Sequence, residues 1–229
     1  MSDYDSWASV YDAWGGSMPD DVAHYARLAR EADGPIVELA VGTGRVAIAV
    51  ARETGKPVLG LDSSTAMLDI ARERAAGLPV ELRLEDMRNF ELDEPAALIY
   101  IPGRSLLHLR GWAEKRAVFE RIARSLRPGG RCAFNAFVFS HAVAASLDGQ
   151  TIDQNGVVHT LHYAIGDNRV DISRVGAATL HLWWATRSEW DGLLEVAGLE
   201  TEALYGGFAQ EPFTDASSEF VWVARKPWA

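Results

Sequence analysis

The sequence predicts an α/β protein whose core is a parallel sheet covered by helices on both faces, and three observations lead there. Apolar runs at 35–40, 57–62, 79–84, 96–101 and 130–138 alternate with helical patterns at 44–54, 64–75 and 111–126, the order that parallel strands joined by crossover helices produce. The first run, Ile36-Val37-Glu38-Leu39-Ala40-Val41, breaks into Gly42-Thr43-Gly44 and continues as Arg45 to Ala51, which reads as strand, tight loop and buried helix. Glu38, Asp62, Asp86 and the segment Ile101-Pro102-Gly103-Arg104 fall at the carboxyl ends of four strands, the edge where such sheets bind ligands.

Each element of that edge has a chemical reading. Gly42 and Gly44 lack a Cβ and let the backbone approach a ligand, while the new helix offers unpaired N–H groups. Asp62 follows Gly42 by 20 positions and closes the run Val58-Leu59-Gly60-Leu61, where an acid binds ribose hydroxyls. The same glycines fit a dinucleotide fingerprint, Gly42-x-Gly44-x-x-Ala47, so Glu38 carries the distinction. A carboxylate at the base of the loop repels a pyrophosphate by about a few kcal/mol at intermediate dielectric and attracts sulfonium and ammonium charge. That points to S-adenosylmethionine. Val80-Glu81-Leu82-Arg83-Leu84 alternates as a strand and delivers Asp86, which is placed to accept a bond from the adenine amino group.

With these residues in place, the chain resembles the class I S-adenosylmethionine-dependent methyltransferases. The matching segments are Glu38-Leu39-Ala40-Val41-Gly42-Thr43-Gly44, Leu61-Asp62-Ser63-Ser64, Met67-Leu68-Asp69-Ile70-Ala71, Glu85-Asp86-Met87 and Leu126-Arg127-Pro128-Gly129-Gly130. The resemblance runs from Tyr4 to near Arg225 and is less specific after Phe139. It implies a Rossmann-like doubly wound seven-stranded sheet of order 3-2-1-4-5-7-6 with the last strand antiparallel. It also implies a cofactor site drawn from Tyr11, Glu38, Ala40, Gly42, Gly44, Asp62, Ser63, Met67, Asp86, Met87 and Ile101. Two positions depart from the family pattern: Ala40 stands where many relatives have Gly, and Ala97 where many have an acid.

Composition narrows the function. The 229 residues, 48% of them hydrophobic, suffice for one domain with additions. We divide it into a helical lid (1–33), a cofactor-binding core (34–139), a substrate-side insertion (140–185) and a closing helix and strands (186–229). A net charge of −10, from 32 acids and 22 bases without a long basic run, argues against nucleic acid. The start Met1-Ser2-Asp3-Tyr4-Asp5 is no signal peptide and no apolar stretch is long enough to span a membrane, so the expectation is a cytoplasmic protein with no membrane partner. The single cysteine, Cys132, falls in a strand and reads as a small buried residue.

The flanking segments carry the acceptor side. Tyr4, Trp7, Tyr11 and Trp14 recur at spacings of 3, 4 and 3, one aromatic face of a helix, interrupted by Gly15-Gly16 and followed by a second helix at about 19–33. This segment reads as a lid, with Tyr11 and Trp14 as pocket walls. Gly166-Asp167-Asn168 marks an inserted hairpin or small sheet, Leu161, Tyr163 and Ile165 on one strand and Ala178, Leu180, Leu182 and Trp184 on the other. Trp183 lines either the pocket or a homodimer interface. Thr186 with Glu189 forms a capping box, Gly198 stops that helix, and 199–204 and 219–225 close the sheet. Counting outward from Asp167 sets His159 near Val175 and His162 near Ile172, while His181 lies nearer Asp153. The three do not converge, and no metal site is expected.

A sulfonium methyl is already electrophilic, so the protein chiefly holds a nucleophile in line and excludes water. His108, just after the fourth strand, is the candidate base, and Arg104 on the same loop pairs either with an acidic group of the substrate or with an acid of the lid. The expected activity is methyl transfer to N or O of a small-molecule acceptor. Two readings from other classes stay open: a fold that has kept the cofactor and become a docking module, and a nicotinamide-dependent oxidoreductase, which leaves Glu38 and Asp86 without a role.

Overall fold

The computed structural model describes residues 2–15 and 21–228. In chain order the elements are α1 (Tyr11–Gly15), α2 (Asp21–Glu31), β1 (Ile36–Leu39), α3 (Arg45–Thr54), β2 (Val58–Asp62), α4 (Thr65–Arg74), β3 (Val80–Leu84), β4 (Ala96–Ile101), α5 (Gly111–Ser125), β5 (Leu126–Phe137), α6 (His141–Leu147), β6 (Thr151–Gln154), β7 (Val157–Ala164), β8 (Arg169–Ser173), β9 (Leu180–Trp183), α7 (Arg187–Val196), β10 (Glu200–Tyr205) and β11 (Glu219–Arg225). Seven strands make one sheet in the order β3-β2-β1-β4-β5-β11-β10. The first five run parallel, and β11 pairs antiparallel with both β5 and β10. This is the 3-2-1-4-5-7-6 order that the resemblance implied.

Every residue of β1 and β4 is buried, as central strands covered on both faces must be. On one face Phe119 of α5 and Trp190 of α7 pack on Phe134 and Trp222. On the other, Tyr25 of α2 and Val46 and Val50 of α3 pack on Leu98 and Tyr100. Cys132 lies in the first of these cores, where burial pushes its thiol up and leaves it unreactive. The capping box forms as expected: Thr186 Oγ1 accepts from the Glu189 N–H at 3.3 Å, and Glu189 Oε2 accepts from the Thr186 N–H at 2.6 Å. The edge where β1 and β4 diverge is the switch point that exposes a ligand crevice. No described helix is long and apolar enough to cross a membrane.

The insertion takes the small-sheet form of the expectation, a four-stranded antiparallel sheet β6-β7-β8-β9 in which the turn at Gly166-Asp167-Asn168 joins β7 to β8. The missed strand pair β6–β7 turns at Asn155-Gly156, both with positive φ, the pairing that closes a two-residue hairpin. The β7–β8 connection also shifts the register by one residue, because Ile165–Asp167 forms a 3-10 turn closed by a left-handed Asn168. His162 and His181 therefore both lie opposite Asp171, and His159 opposite Ile152. A one-residue slip moves side chains to the other face of a sheet. Among the described residues no group of three or more His, Cys, Asp or Glu is placed to hold a metal ion.

The N-terminal segment is two 3-10 turns, Asp3–Ser6 and Ala8–Val10, followed by the short α1, instead of one continuous helix. Spacings near three suit the eclipsed side chains of 3-10 structure as well as one helical face. Of the Gly15-Gly16 pair expected to interrupt it, Gly15 is the last residue of α1, while Gly16 and the expected start of the next helix at about 19 lie outside the described residues, and α2 is described from Asp21.

Candidate active site

The crevice has a cofactor half built from short-range backbone geometry. After β1 the chain enters the left-handed region three times in five residues, at Ala40 (φ +57), Gly42 (+56) and Gly44 (+81), which curls its N–H groups inward. Asp62, at the end of β2, fixes this loop: Oδ2 accepts from the Gly42 N–H at 2.8 Å and Oδ1 from the Ser64 N–H at 2.8 Å. Burial raises its pKa, opposed by these N–H groups. Each oxygen keeps a second lone pair for a ribose hydroxyl. Glu38 is 1% exposed and its Oε2 has no hydrogen-bond partner among the described residues. Burial pushes its carboxyl well above the usual range, against the pull of Tyr100 and Arg45. A buried carboxyl oxygen left without a partner costs free energy, and an ammonium group beside the loop would relieve it. These residues fit S-adenosylmethionine and oppose a pyrophosphate.

Other expected cofactor residues take different positions. Asp86 is gripped by Arg88, with Nε to Oδ1 at 2.9 Å and Nη2 to Oδ2 at 2.5 Å. Burial raises its pKa, but those bonds outweigh it and hold it low. A bond to adenine must share that carboxylate with Arg88. Met67 and Ile101 are buried, Met87 is half-buried and Ser63 exposed. Ala97, the second position of β4, lies at the opposite end of the sheet beside Gly34 and is buried, so that departure does not touch the crevice.

The lid closes over the loop through carboxylates. Asp5 Oδ1 accepts from Ser64 Oγ at 2.6 Å and from the Ala66 N–H at 3.3 Å, at the start of α4. Asp12 accepts from Thr43 Oγ1 at 2.7 Å and pairs with Arg74 at 2.5 Å. Between these latches the Tyr11 ring spans the crevice: a Cβ on Gly42 would lie 3.8 Å from its Cε1, and one on Gly103 3.8 Å from its hydroxyl. Trp14 meets the edge of Tyr11 at a centroid distance of 6.2 Å on the side of the four-stranded sheet. Trp14 packs on Trp7 and His159, and Trp7 is buried among Val157, Ile172 and Leu180 of the four-stranded sheet, its Nε1 donating to Ala178 O at 2.7 Å.

The acceptor half joins residues far apart in the chain. His108 ends the 3-10 turn Ser105–His108 after β4. Its Nδ1 lies 3.1 Å from the His181 carbonyl of β9 and its Nε2 2.7 Å from Tyr4 Oη of the lid. A carbonyl only accepts, so the network places the proton on Nδ1 and leaves Nε2 to accept from Tyr4. Desolvation pushes the His108 pKa down to about 4, and burial raises the Tyr4 phenol, which stays protonated. Arg104 is not paired with the lid, as one reading of the sequence had it. Its Nε and Nη2 donate to Glu219 of β11 at 3.1 and 2.6 Å, and its guanidinium lies over the Phe137 ring. Tyr4, Asn135 and Glu219 escaped the sequence reading as site residues. A buried-strand polar residue such as Asn135 was the available signal.

Comparison with known proteins agrees with this geometry. Residues 36–130 match a family described as a methyltransferase domain. The search of curated proteins returned no match. Among solved structures, the CcbJ methyltransferase from Streptomyces caelestis is 27% identical, with a TM-score of 0.85 over 99% of this chain and 98% of that one. A S-adenosylmethionine-dependent methyltransferase from Clostridium acetobutylicum superposes with a TM-score of 0.80 at 15% identity, over 99% of this chain and 100% of that one. CalS10 from Micromonospora echinaspora, an amino pentose methyltransferase, does so with 0.69 at 23% over 96% of each chain. At those identities the last two speak to the fold alone. Motifs, strand order and the methyltransferase domain matched over residues 36–130 agree, and together they support a class I S-adenosylmethionine-dependent methyltransferase.

Proposed function

We propose that the chain methylates a nitrogen of a small-molecule acceptor that reacts as a neutral amine, and one observation carries this: Tyr4 Oη donates its hydrogen to a His108 ring whose other nitrogen is occupied by the His181 carbonyl. With its proton committed to Nε2, the Tyr4 oxygen offers only lone pairs to the crevice, and these orient an acceptor N–H so that the nitrogen lone pair faces the methyl. When bound, S-adenosylmethionine supplies an electrophilic methyl group on sulfonium. Glu38 and Asp62 hold its ammonium and ribose, Tyr11 and the lid exclude water, and Arg104 bounds the acceptor side.

The low basicity of His108 favours nitrogen over oxygen. A ring with pKa near 4 is neutral at physiological pH but a weak sink for a hydroxyl proton, and a neutral amine needs no proton removed before it attacks. Fold neighbours named as the sugar N-methyltransferase KedS8 and the glycopeptide N-methyltransferase MtfA use this architecture for nitrogen chemistry. Titration calorimetry with S-adenosylmethionine and S-adenosylhomocysteine should show binding of both. With a panel of matched small amines and alcohols, S-adenosylhomocysteine should accumulate with amines. Absence of cofactor binding overturns the reading, and turnover confined to alcohols overturns its nitrogen preference.

A further inference from the structure

Arg104 carries a side chain yet sits in the left-handed region, φ +61 and ψ +24, directly before the turn that presents His108. Such a residue persists where its surroundings over-determine it. Its own N–H donates to Asn135 Oδ1 at 3.3 Å, while its guanidinium donates to Glu219 Oε2 through Nη2 at 2.6 Å and to both carboxylate oxygens through Nε at 3.1 Å. Asn135 Nδ2 donates to Glu219 Oε1 at 2.6 Å and closes the ring. Asn135 thus grips Arg104 at both ends, directly at the backbone and through Glu219 at the side chain. Tyr25 of α2 adds a bond from its hydroxyl to Asn135 Oδ1 at 3.3 Å.

Asn135 is 0% exposed and Glu219 8%, and apolar residues would fill the same sheet end without desolvating a charge. Leu106 and Leu107 of the same turn are fully buried, but hydrophobic contact is non-directional. It fixes how deep the turn sits and not where His108 points. Hydrogen bonds with set partners supply that direction.

We infer that Asn135 and Glu219 are positioning residues that act through Arg104 to aim His108 at Tyr4. This rests on the proposed role of the Tyr4–His108 pair. The Phe137 ring lies 5.7 Å from the guanidinium carbon, and Tyr25 extends the clamp to α2.

The test reads the His108 ring by nitrogen NMR of protein labelled in histidine, without added ligand, beside S-adenosylhomocysteine affinity by calorimetry. Arg104→Gly is the fold-safe variant, since glycine suits φ +61; Glu219→Gln removes the charge and keeps the shape. Lys115 and His181, which also face the ring, are unchanged in both. In the wild type the ring should show the Nδ1–H tautomer. In both variants it should shift toward mixed tautomers and titrate at least about one unit higher, a tenfold change in proton affinity. S-adenosylhomocysteine affinity should stay within about twofold. An unaltered His108 spectrum in both variants overturns the inference, as does a parallel fall in cofactor affinity, which would mean general loosening. Failure of the wild type to bind S-adenosylhomocysteine strikes the preceding reading instead, because the ring spectrum does not depend on it.

Discussion

The two halves of the crevice are held by different kinds of contact. On the cofactor side Asp62 reaches Gly42 and Ser64, 20 and 2 positions away, and backbone N–H groups do most of the donating. On the acceptor side Tyr4 meets His108 across 104 positions, and Arg104 meets Glu219 across 115, side chain to side chain. A ligand common to a whole family is met by backbone that a few motif residues shape. A ligand particular to one protein is met by side chains that the fold gathers from everywhere.

The sharpest way to break that contrast is Asp62→Ala. It orphans two N–H groups of the loop as well as removing a ribose partner, and a bond to a charged group is worth about 1.5–3 kcal/mol. Calorimetry should show S-adenosylhomocysteine affinity falling at least about a hundredfold. An affinity within tenfold of the wild type would mean that the loop is not held from this side.

The same ring chemistry occurs in both a structural and a functional setting. His24 of α2 is buried among Tyr25, Tyr205 and Phe208, with neither nitrogen hydrogen-bonded among the described residues, and desolvation lowers its pKa from 6.5 to about 4, Arg27 adding to the shift. A base with a depressed folded pKa contributes stability that is fully present above the unfolded value. That stability is lost as pH falls from about 6.5 to 4, about 3 kcal/mol for a shift of this size. His108 loses stability in the same window and in the same direction. His24→Phe should flatten the fall of unfolding free energy across that window and leave cofactor affinity alone, measured by denaturant titration at several pH values. A slope equal to that of the wild type would show that His24 titrates freely.

Tyr4→Phe probes the acceptor half with less force. It removes the hydroxyl and keeps the ring that packs on Tyr11 at 5.7 Å. Turnover should fall about tenfold or more with cofactor affinity within about twofold, the pattern of an interaction made with the acceptor and not with the cofactor. Equal losses in both would return Tyr4 to the lid packing.

Legibility in the sequence followed the same division. Strands β1 to β5 and the loop at Gly42 could be read because their signals are local: apolar runs, glycines and acids at fixed offsets. The insertion could not be read at residue level. Its β6–β7 turn is carried by only Asn155-Gly156, and the slip at Asn168 changed which face His162 shares. His108 and Arg104 stand out in the sequence because they follow a strand end, whereas the groups they bond to, Tyr4, Asn135 and Glu219, are brought to them only by folding. Ala40 stands out in the sequence only as a departure from the family's Gly, and its left-handed conformation gives that departure a physical content.

Ala40→Gly is the smallest expected effect and returns to the cofactor half. Alanine at φ +57 carries about 1–2 kcal/mol of steric strain that glycine lacks. Glycine in turn leaves the unfolded chain freer by about 0.4–1 kcal/mol. The difference favours the variant by up to about 1.6 kcal/mol, visible as a higher denaturation midpoint at unchanged m-value. Because the loop already holds its left-handed shape through the bond from Gly42 to Asp62, cofactor affinity should change less than stability does. A large gain in affinity with no gain in stability would instead assign the alanine methyl to direct contact with the ligand, and the cofactor half would then owe some of its selectivity to a side chain after all.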